Sequence, residues 1–486
     1  MASRHPSFST SETPPRLRRV GNELYEVSRT YRRDMRASAR VFADAEQAAS
    51  LGTHDRSLAQ LINVTTLPGI AAPALGMPDM HEGYGFPVGG VAATLLPDGV
   101  ISPGGIGFDI NCGVRLLTAP VDVAAVRPVL ESLIHEISRG VPTGAGRGGR
   151  LSVAGAEMDR VLAEGVPYLV RELGQGRRED LTYIEGGGCL DRADPHQVSD
   201  RAKLRGRDQL GTLGSGNHFV EVGVVDNIFD DVAAAQLGLA MGGVTVLIHT
   251  GSRGLGHQVC TDYVRRMDDV ARRYGIVLPD RQLACAPLSS PEGTAYFAAM
   301  CAAANFAFCN RQVITERARD AFRRFIDCEL SLVYDVAHNT AKIERAGDHL
   351  LCVHRKGATR AFGPSSSEIP EHYRGVGQPV FIPGTMGTAS YVLVGTDASA
   401  QLSLSSTCHG AGRTLSRGAA KRAVRGHELR RQLEGRGIVI RCPSNAELAE
   451  EAPLAYKDVE RVVDVTERAG IAKKVARLRP LGVIKG

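Results

Sequence analysis

The chain has 486 residues, 43% of them hydrophobic and 23% charged, which excludes an intrinsically disordered polymer and supports a soluble globular protein. Its formal net charge of +5 permits an acidic partner without requiring one. The 10 cysteines include no Cys-x-x-Cys pair, which excludes a disulfide scaffold and suits the reducing cytoplasm, and no apolar run is long enough to span a bilayer.

The first 21 residues, opening "MASRHPSFST", are rich in Ser, Pro and Arg and lack the apolar core of a secretory signal, so a disordered tail is expected over 1–21. One catalytic unit is expected over 22–486, because no long linker or composition break interrupts it. Glycine-rich turns begin with "MPDMHEGYGFPVGG" (77–90) and "GGIGFDINCGVR" (104–115), and the second sets Asp109 and Cys112 three positions apart. Helices are predicted over 123–137 and 155–175. Between them, "GAGRGG" (144–149) matches the glycine count of a dinucleotide fingerprint, but no strand precedes it and the match is set aside. Then come the turn "LGTLGSGNHFVEV" (210–222) and "GVTVLIH" (243–249), a buried strand running into "HTGSRGLGHQ" (249–258). Residues 259–329 read as a mostly helical insertion, and "LSLVYDVAH" (330–338) as a second buried strand. Two more small-residue turns, "FIPGTMGTASYVLVG" (381–395) and "CHGAGRTLSR" (408–417), follow. No Gly-Lys-Ser/Thr occurs, which removes a Walker A loop. Strands do not alternate with single helices, so the expected class is α+β, a complex single fold with mixed sheets rather than a doubly wound one.

Four histidines share a local grammar. His249 and His338 end strand-like runs, His218 sits in "GSGNHF" and His409 in "CHGAGR", each where an apolar element meets a turn. With Asp109 and Cys112 on similar turns, any five drawn from this group make a sensible ligand set in a metal-containing cleft. Thiolate softness alone nominates zinc or iron. One thiolate can also bridge two cations, and a metal pair suits phosphate chemistry. Arg205, Arg253, Arg413 and Arg417 lie within a few positions of these residues, and forked guanidinium groups suit phosphate recognition. On these residues alone, a nucleotide-transferring enzyme, a dinuclear-metal phosphodiesterase or phosphatase, and an RNA-binding protein with a structural metal all remain open.

The motifs "GIGFDINCGVR", "LGTLGSGNHFVE", "HTGSRGLG", "VAHN", "PGTMGTASYVL", "HGAGR" and a final "VIKG" together resemble the RtcB family of GTP-dependent RNA-splicing ligases, in family order from about residue 60 onward. The resemblance implies a ligase that joins RNA ending in a 2′,3′-cyclic phosphate or 3′-phosphate to RNA beginning with a 5′-hydroxyl, in tRNA splicing or RNA repair. It implies His409 as a nucleophile guanylylated by GTP and Asp79 as the acid that orients it. Asp109, Cys112 and His218 would hold one Mn²⁺, and Cys112, His249 and His338 a second. The guanylate would be bound by Asn217, His218, Phe219, Val220 and Glu221, by His338 and Asn339, and by Pro383, Gly384, Thr385 and Met386 with Ser390. His409, Gly410, Ala411 and Gly412 would complete that pocket together with Tyr456 and Lys485. Arg205, Arg253, Arg413 and Arg417 would meet RNA phosphates. Expected partners are GTP and RNA with broken or spliced ends, tRNA halves among them, in the cytoplasm and away from membranes; an activating protein partner is left open. Two features depart from simple expectation: Thr385 stands where the family has serine, and manganese is a hard ion for a cysteine ligand.

Overall fold

Along Gly243–Thr250, Val244, Val246 and Ile248 enter one apolar core while Leu247 enters another. That period-two alternation, apolar on both faces, is the signature of a strand buried on both sides. In the computed structural model, which describes residues 14–53, 55–144 and 148–486, this strand lies inside the larger of two sheets. Its order is Ser331–Ala337, Gly113–Asp122, Gly243–Thr250, Phe219–Ile228, Ala472–Lys485, Ser390–Gly395 and Pro379–Ile382, antiparallel throughout, with Val439–Arg441 added in parallel beside Ala472–Lys485. The outermost strands, Ser331–Ala337 and Pro379–Ile382, come into contact, so the sheet curls almost into a barrel around Leu116, Phe219, Leu247, Phe381 and Val392.

The outer face is covered by the helices Leu130–Gly140, Gly155–Glu172, Arg253–Arg273 and Pro291–Ile326. The last is 36 residues long and buried along most of its length, with Ala302, Ala303, Phe306 and Ile314 against the sheet. The segment expected as a helical insertion therefore supplies a large part of the main core. A second sheet runs Arg18–Gly21, Leu24–Val27, Ala39–Phe42, Ala74–His81, Val88–Leu95, His349–Lys356 and Asn339–Ala346, with one parallel pairing between its third and fourth strands. The helix Ser57–Val64 packs on one face of it, and Val459–Arg468 with the Pro379–Ile382 and Ser390–Gly395 strands on the other. Helices and mixed sheets together make the fold α+β.

The predicted helices and strands fall close to those seen, with the 155–175 helix kinked at Gly165. One difference lies at the start. Residues 1–13 are outside the described residues, but Arg18–Gly21, assigned to the tail, pair with Leu24–Val27 as an edge strand. Residues 145–147 of "GAGRGG" are also outside the described residues. No helix among the described residues is long and apolar enough to cross a membrane.

Candidate functional site

Strand register gathers the histidines. Gly113 pairs with both Thr250 and Ala337, and Phe219 pairs with His249, so Cys112, His218, His249 and His338 all come to the same end of four adjacent strands. Lys485 pairs with Phe219 and reaches that end too. A strand end is where a rigid scaffold hands over to loops, which suits precise presentation of side chains.

The ligand-type atoms converge as two triads, Asp109–Cys112–His218 and Cys112–His249–His338, each with its atoms within 4.8 Å of one another. The Cys112 Sγ is common to both, 3.4 Å from His218 Nε2 and 3.3 Å from His249 Nε2. His249 Nε2 in turn lies 3.3 Å from His338 Nε2. Burial, and then the neighbouring imidazoles, push His249 and His338 well below the usual histidine range, so both rings are neutral. Burial and the Asp109 carboxylate push the Cys112 thiol well up. Asp109 Oδ2 sits 2.8 Å from His218 Nε2, yet it accepts no aligned hydrogen bond. Lone-pair atoms aimed at one another with too few protons between them fit a cation. A bound divalent metal would also deprotonate the thiol.

His409 follows the short strand Ser406–Cys408 and faces Asp79, which is carried by Ala74–His81 of the other sheet. Asp79 is fully buried, and its Oδ2 accepts from His409 Nδ1 at 2.6 Å and from the His409 backbone N–H at 3.1 Å. Burial would raise this carboxyl, but the His409 ring beside it holds it below the ordinary value. With Nδ1–H donated to Asp79, the other ring nitrogen keeps its lone pair. Gly412 has φ +78°, and a Cβ there would fall 2.3 Å from the Asp79 carbonyl, so the "HGAGR" turn needs glycine at that point. The His409 ring stands 4.8 Å from that of His338, which links this pair to the metal-type triads.

Asp109, Cys112, His249, His338 and His409 open on one cleft of about 260 Å³. Asn217, Phe219, Glu221 and Asn339 line it, as do Pro383, Gly384, Thr385 and Met386. Gly410, Ala411, Gly412, Tyr456 and Lys485 complete the wall. Burial raises the Glu221 carboxyl to about 8, against a lowering pull from Lys485. Burial likewise lowers Lys485 to about 8, against the attraction of Glu451. Lys485 Nζ donates to the His218 carbonyl at 3.2 Å. Thr385 keeps the turn closed: its N–H donates to Thr388 Oγ1 at 2.7 Å, and the two hydroxyls are 3.0 Å apart.

Three expected pocket residues are placed differently, the first being His218, which joins the Asp109 triad and is not among the residues that line the cleft. Val220 points to the opposite face and packs in the core with Val222 and Ile248, because adjacent strand residues alternate. Ser390 is buried and accepts from the Gly384 N–H at 3.1 Å, so it supports the turn rather than lining the cleft. The arginines also divide. Arg413 and Arg417 reach the cleft, but Arg413 is tied to Glu451 at 3.0 Å, Tyr456 Oη at 2.9 Å and two backbone carbonyls. Arg417 is half exposed, 3.6 Å from Glu451. Arg253 is bonded to Thr212 and the Gly144 carbonyl beside the Asp109 triad, and burial lowers it to about 10 although Asp109 opposes the shift. Arg205 bonds Gln258 at 3.0 Å outside the cleft lining. Sequence reasoning missed Glu451, a buried carboxylate that takes a hydrogen bond from Tyr456 and holds Arg413, and Lys356, a cleft-lining residue whose Nζ donates to the Phe86 and Gly104 carbonyls at 3.1 and 3.2 Å and which burial lowers to about 7. Glu451 sits in the acidic run "AELAEEAP", which reads as solvated surface.

Comparison with known proteins matches the chain over residues 60–486 to the RtcB family, described as tRNA-splicing ligase RtcB. A protein of Archaeoglobus fulgidus named tRNA-splicing ligase RtcB is 52% identical over 479 residues, covering 97% of this chain and 99% of its own. One of Thermococcus kodakarensis with the same name is 50% identical over 479 residues, with the same coverage. A protein of Mycobacterium tuberculosis named RNA-splicing ligase RtcB is 51% identical over 434 residues, 88% of this chain and all of its own.

Proposed function

The chain belongs to the RtcB family, and on that premise we propose that it is a GTP- and Mn²⁺-dependent RNA ligase of the cytoplasm, joining 2′,3′-cyclic phosphate or 3′-phosphate RNA ends to 5′-hydroxyl ends in tRNA splicing or RNA repair. The observation that carries this reading is the 2.6 Å pairing of His409 with Asp79 on the same cleft as two metal-type triads sharing one thiol. A dinuclear phosphodiesterase needs the triads alone; a nucleophile-and-orienter pair beside a buried acid and lysine calls for nucleotide transfer.

An imidazole attacks through a ring lone pair, and with Nδ1–H donated to Asp79 that lone pair sits on His409 Nε2. Its Nε2 attacks the α-phosphorus of GTP, an N–P bond forms, and pyrophosphate leaves. Asp79 stays ionised and fixes the tautomer. Water opens a cyclic phosphate end to a 3′-phosphate, whose oxygen attacks the phosphorus on His409 and releases the ring. The 5′-hydroxyl of the second RNA attacks the activated 3′-phosphate and GMP leaves. Asp109, Cys112 and His218 would hold one metal ion and Cys112, His249 and His338 another. Bound there, the ions would neutralise charge on phosphoryl oxygens. Glu221 accepts from guanine N1 and N2, Lys485 donates to O6, and Tyr456 offers its ring to the purine; adenine presents the opposite pattern at these positions. The test is incubation with α-labelled GTP and Mn²⁺. A protein-bound label that is lost in acid and kept in base is expected of a phosphoramidate, and no such label on the intact protein would remove nucleotide transfer.

A further inference from the structure

The five candidate ligands come from four segments far apart in the chain, and two neighbouring side chains of one buried helix hold all four, three through backbone groups and the fourth through the Asp335 carboxylate. Arg311 and Asn310 lie in the middle of Pro291–Ile326, and both are fully buried. Arg311 NH1 donates to the carbonyl of Asn111, between Asp109 and Cys112, at 2.8 Å. The same nitrogen donates to the carbonyl of Thr250, next to His249, at 2.9 Å. Arg311 Nε pairs with Asp335, three residues before His338, at 2.9 Å. Asn310 covers the remaining segment. Its Oδ1 accepts from the N–H groups of Gly211 and Thr212, on the loop leading to His218, at 2.8 and 3.1 Å. Its Nδ2 donates to the carbonyls of Thr212 and Gly251, both at 3.1 Å.

Asn111 has φ +53°, a left-handed conformation that asparagine adopts more readily than most residues. Its side chain donates to the Ala304 carbonyl of the same helix at 2.6 Å, and its carbonyl is one that Arg311 grips. Asp335 is also held by Arg115 at 2.8 Å, so the carboxylate and its two guanidinium partners form a rigid buried unit. None of these contacts reaches a ligand atom. Each acts on the segment that carries one, through its backbone or, at Asp335, through a side chain, which is how a supporting shell sets ligand geometry.

We propose that Asn310 and Arg311 are positioning residues that set the spacing of the four ligand-bearing segments, so that the two triads are preformed before any cation binds. The inference rests on the metal-centre reading above. A guanidinium can bridge Asn111, Thr250 and Asp335 at once because it is a planar fork, whereas an ammonium at the end of a lysine cannot span the three.

The test uses the full chain freed of metal, with Mn²⁺ binding read from the EPR signal of the free ion, and compares Arg311→Lys with Arg319→Lys. Arg319 is an equally buried arginine of the same helix, but it pairs with Asp180 and the Leu330 carbonyl, away from the ligand segments. Both variants are expected to melt earlier than the parent when metal-free. Only Arg311→Lys is expected to weaken Mn²⁺ binding, by ~10- to 100-fold, with ligase turnover recovered at saturating Mn²⁺. Asn310→Asp, which preserves size and the acceptor for Gly211 but not the donated bonds, should weaken Mn²⁺ binding in the same way, and it carries the test if Arg311→Lys does not fold. Parent-like affinity in the variants that fold, or an equal loss in Arg319→Lys, would overturn the proposal. A parent protein that binds no Mn²⁺ would instead sink the metal-centre reading itself.

Discussion

At the scale of single residues, Cys112 and Glu221 both hold a proton in the empty cleft and must give it up when their ligands bind. The Cys112 thiol is pushed up by burial and by Asp109, so the free protein holds it neutral, and a bridging role requires two cations to draw the proton off. Cys352 is as buried, pushed up to about 12, and lies in neither triad. Cys112→Ser should therefore cut bound Mn²⁺ from two per chain to one or fewer and abolish ligation, while Cys352→Ser keeps both ions. Metal analysis of the two purified variants decides, and two ions retained in Cys112→Ser would end the bridging role. Glu221 gives a pH prediction. Its carboxyl, raised by burial to about 8, is protonated in the empty cleft at pH 7, yet guanine N1–H and N2–H need a carboxylate acceptor. Binding must then release a proton, and affinity for GTP should rise with pH, by roughly tenfold per unit below ~8; above it the Lys485 ammonium, itself lowered to about 8, is lost and affinity should fall again. Glu221→Gln should show neither the rise nor the proton release. Calorimetry in buffers of different ionisation enthalpy measures both, and a flat profile in the parent would show that Glu221 does not receive the base in ionised form.

At the scale of elements, the strand Ala472–Lys485 changes how the end of "VIKG" reads. It runs between Phe219–Ile228 and Ser390–Gly395, and its last residue pairs with Phe219. The Gly486 N–H also donates to the His218 carbonyl at 3.1 Å. Lys485 is thus fixed by sheet register, not by a flexible tail. Its ammonium and its backbone have separable duties. Lys485→Met removes the donor proposed for O6 and keeps the strand, so GTP affinity should fall by ~10- to 150-fold, the loss of a charge-assisted bond in a buried pocket, with metal content unchanged. Deleting Lys485 and Gly486 removes the anchor on His218 as well, and should additionally weaken Mn²⁺ at the Asp109–Cys112–His218 triad. Side-by-side GTP and Mn²⁺ titrations of the two variants distinguish the effects. Equal metal loss in both would mean that the side chain, not the register, holds His218.

At the scale of the whole molecule, the sequence made local features legible and hid the long-range ones. Alternation in "GVTVLIH" marked a strand, and histidines at strand ends marked a site, because both signals lie within a few residues. Nothing in a period of two reveals that Lys485 pairs with Phe219 or that His409 meets Asp79, 330 positions away; the family resemblance had to supply those positions. The same limit explains Val220, whose motif is right but whose strand parity turns it to the core, and Arg413, whose partners Glu451 and Tyr456 lie about 40 residues further on. The assembled fold adds a division that no motif carries. All five metal-type residues lie at strand ends of the curled sheet, whereas Asp79 belongs to the other sheet and His409 follows a short strand paired with Ala358–Arg360. The His409–Asp79 pair and the metal-type triads are therefore built on different frameworks that meet at the cleft. His409→Ala should take no label from GTP and yet keep two Mn²⁺ per chain, since its ring is not in either triad. It should still join an RNA already carrying the 3′-guanylate, because that step calls on the metal sites and the RNA ends alone. Asp79→Asn should leave metals in place too, and slow labelling while sparing the pre-activated substrate. Labelling, metal analysis and ligation of activated RNA on the same preparations form the test. A His409→Ala protein that has lost its metals, or that fails on activated RNA with metals bound, would show that the two frameworks do not act separately.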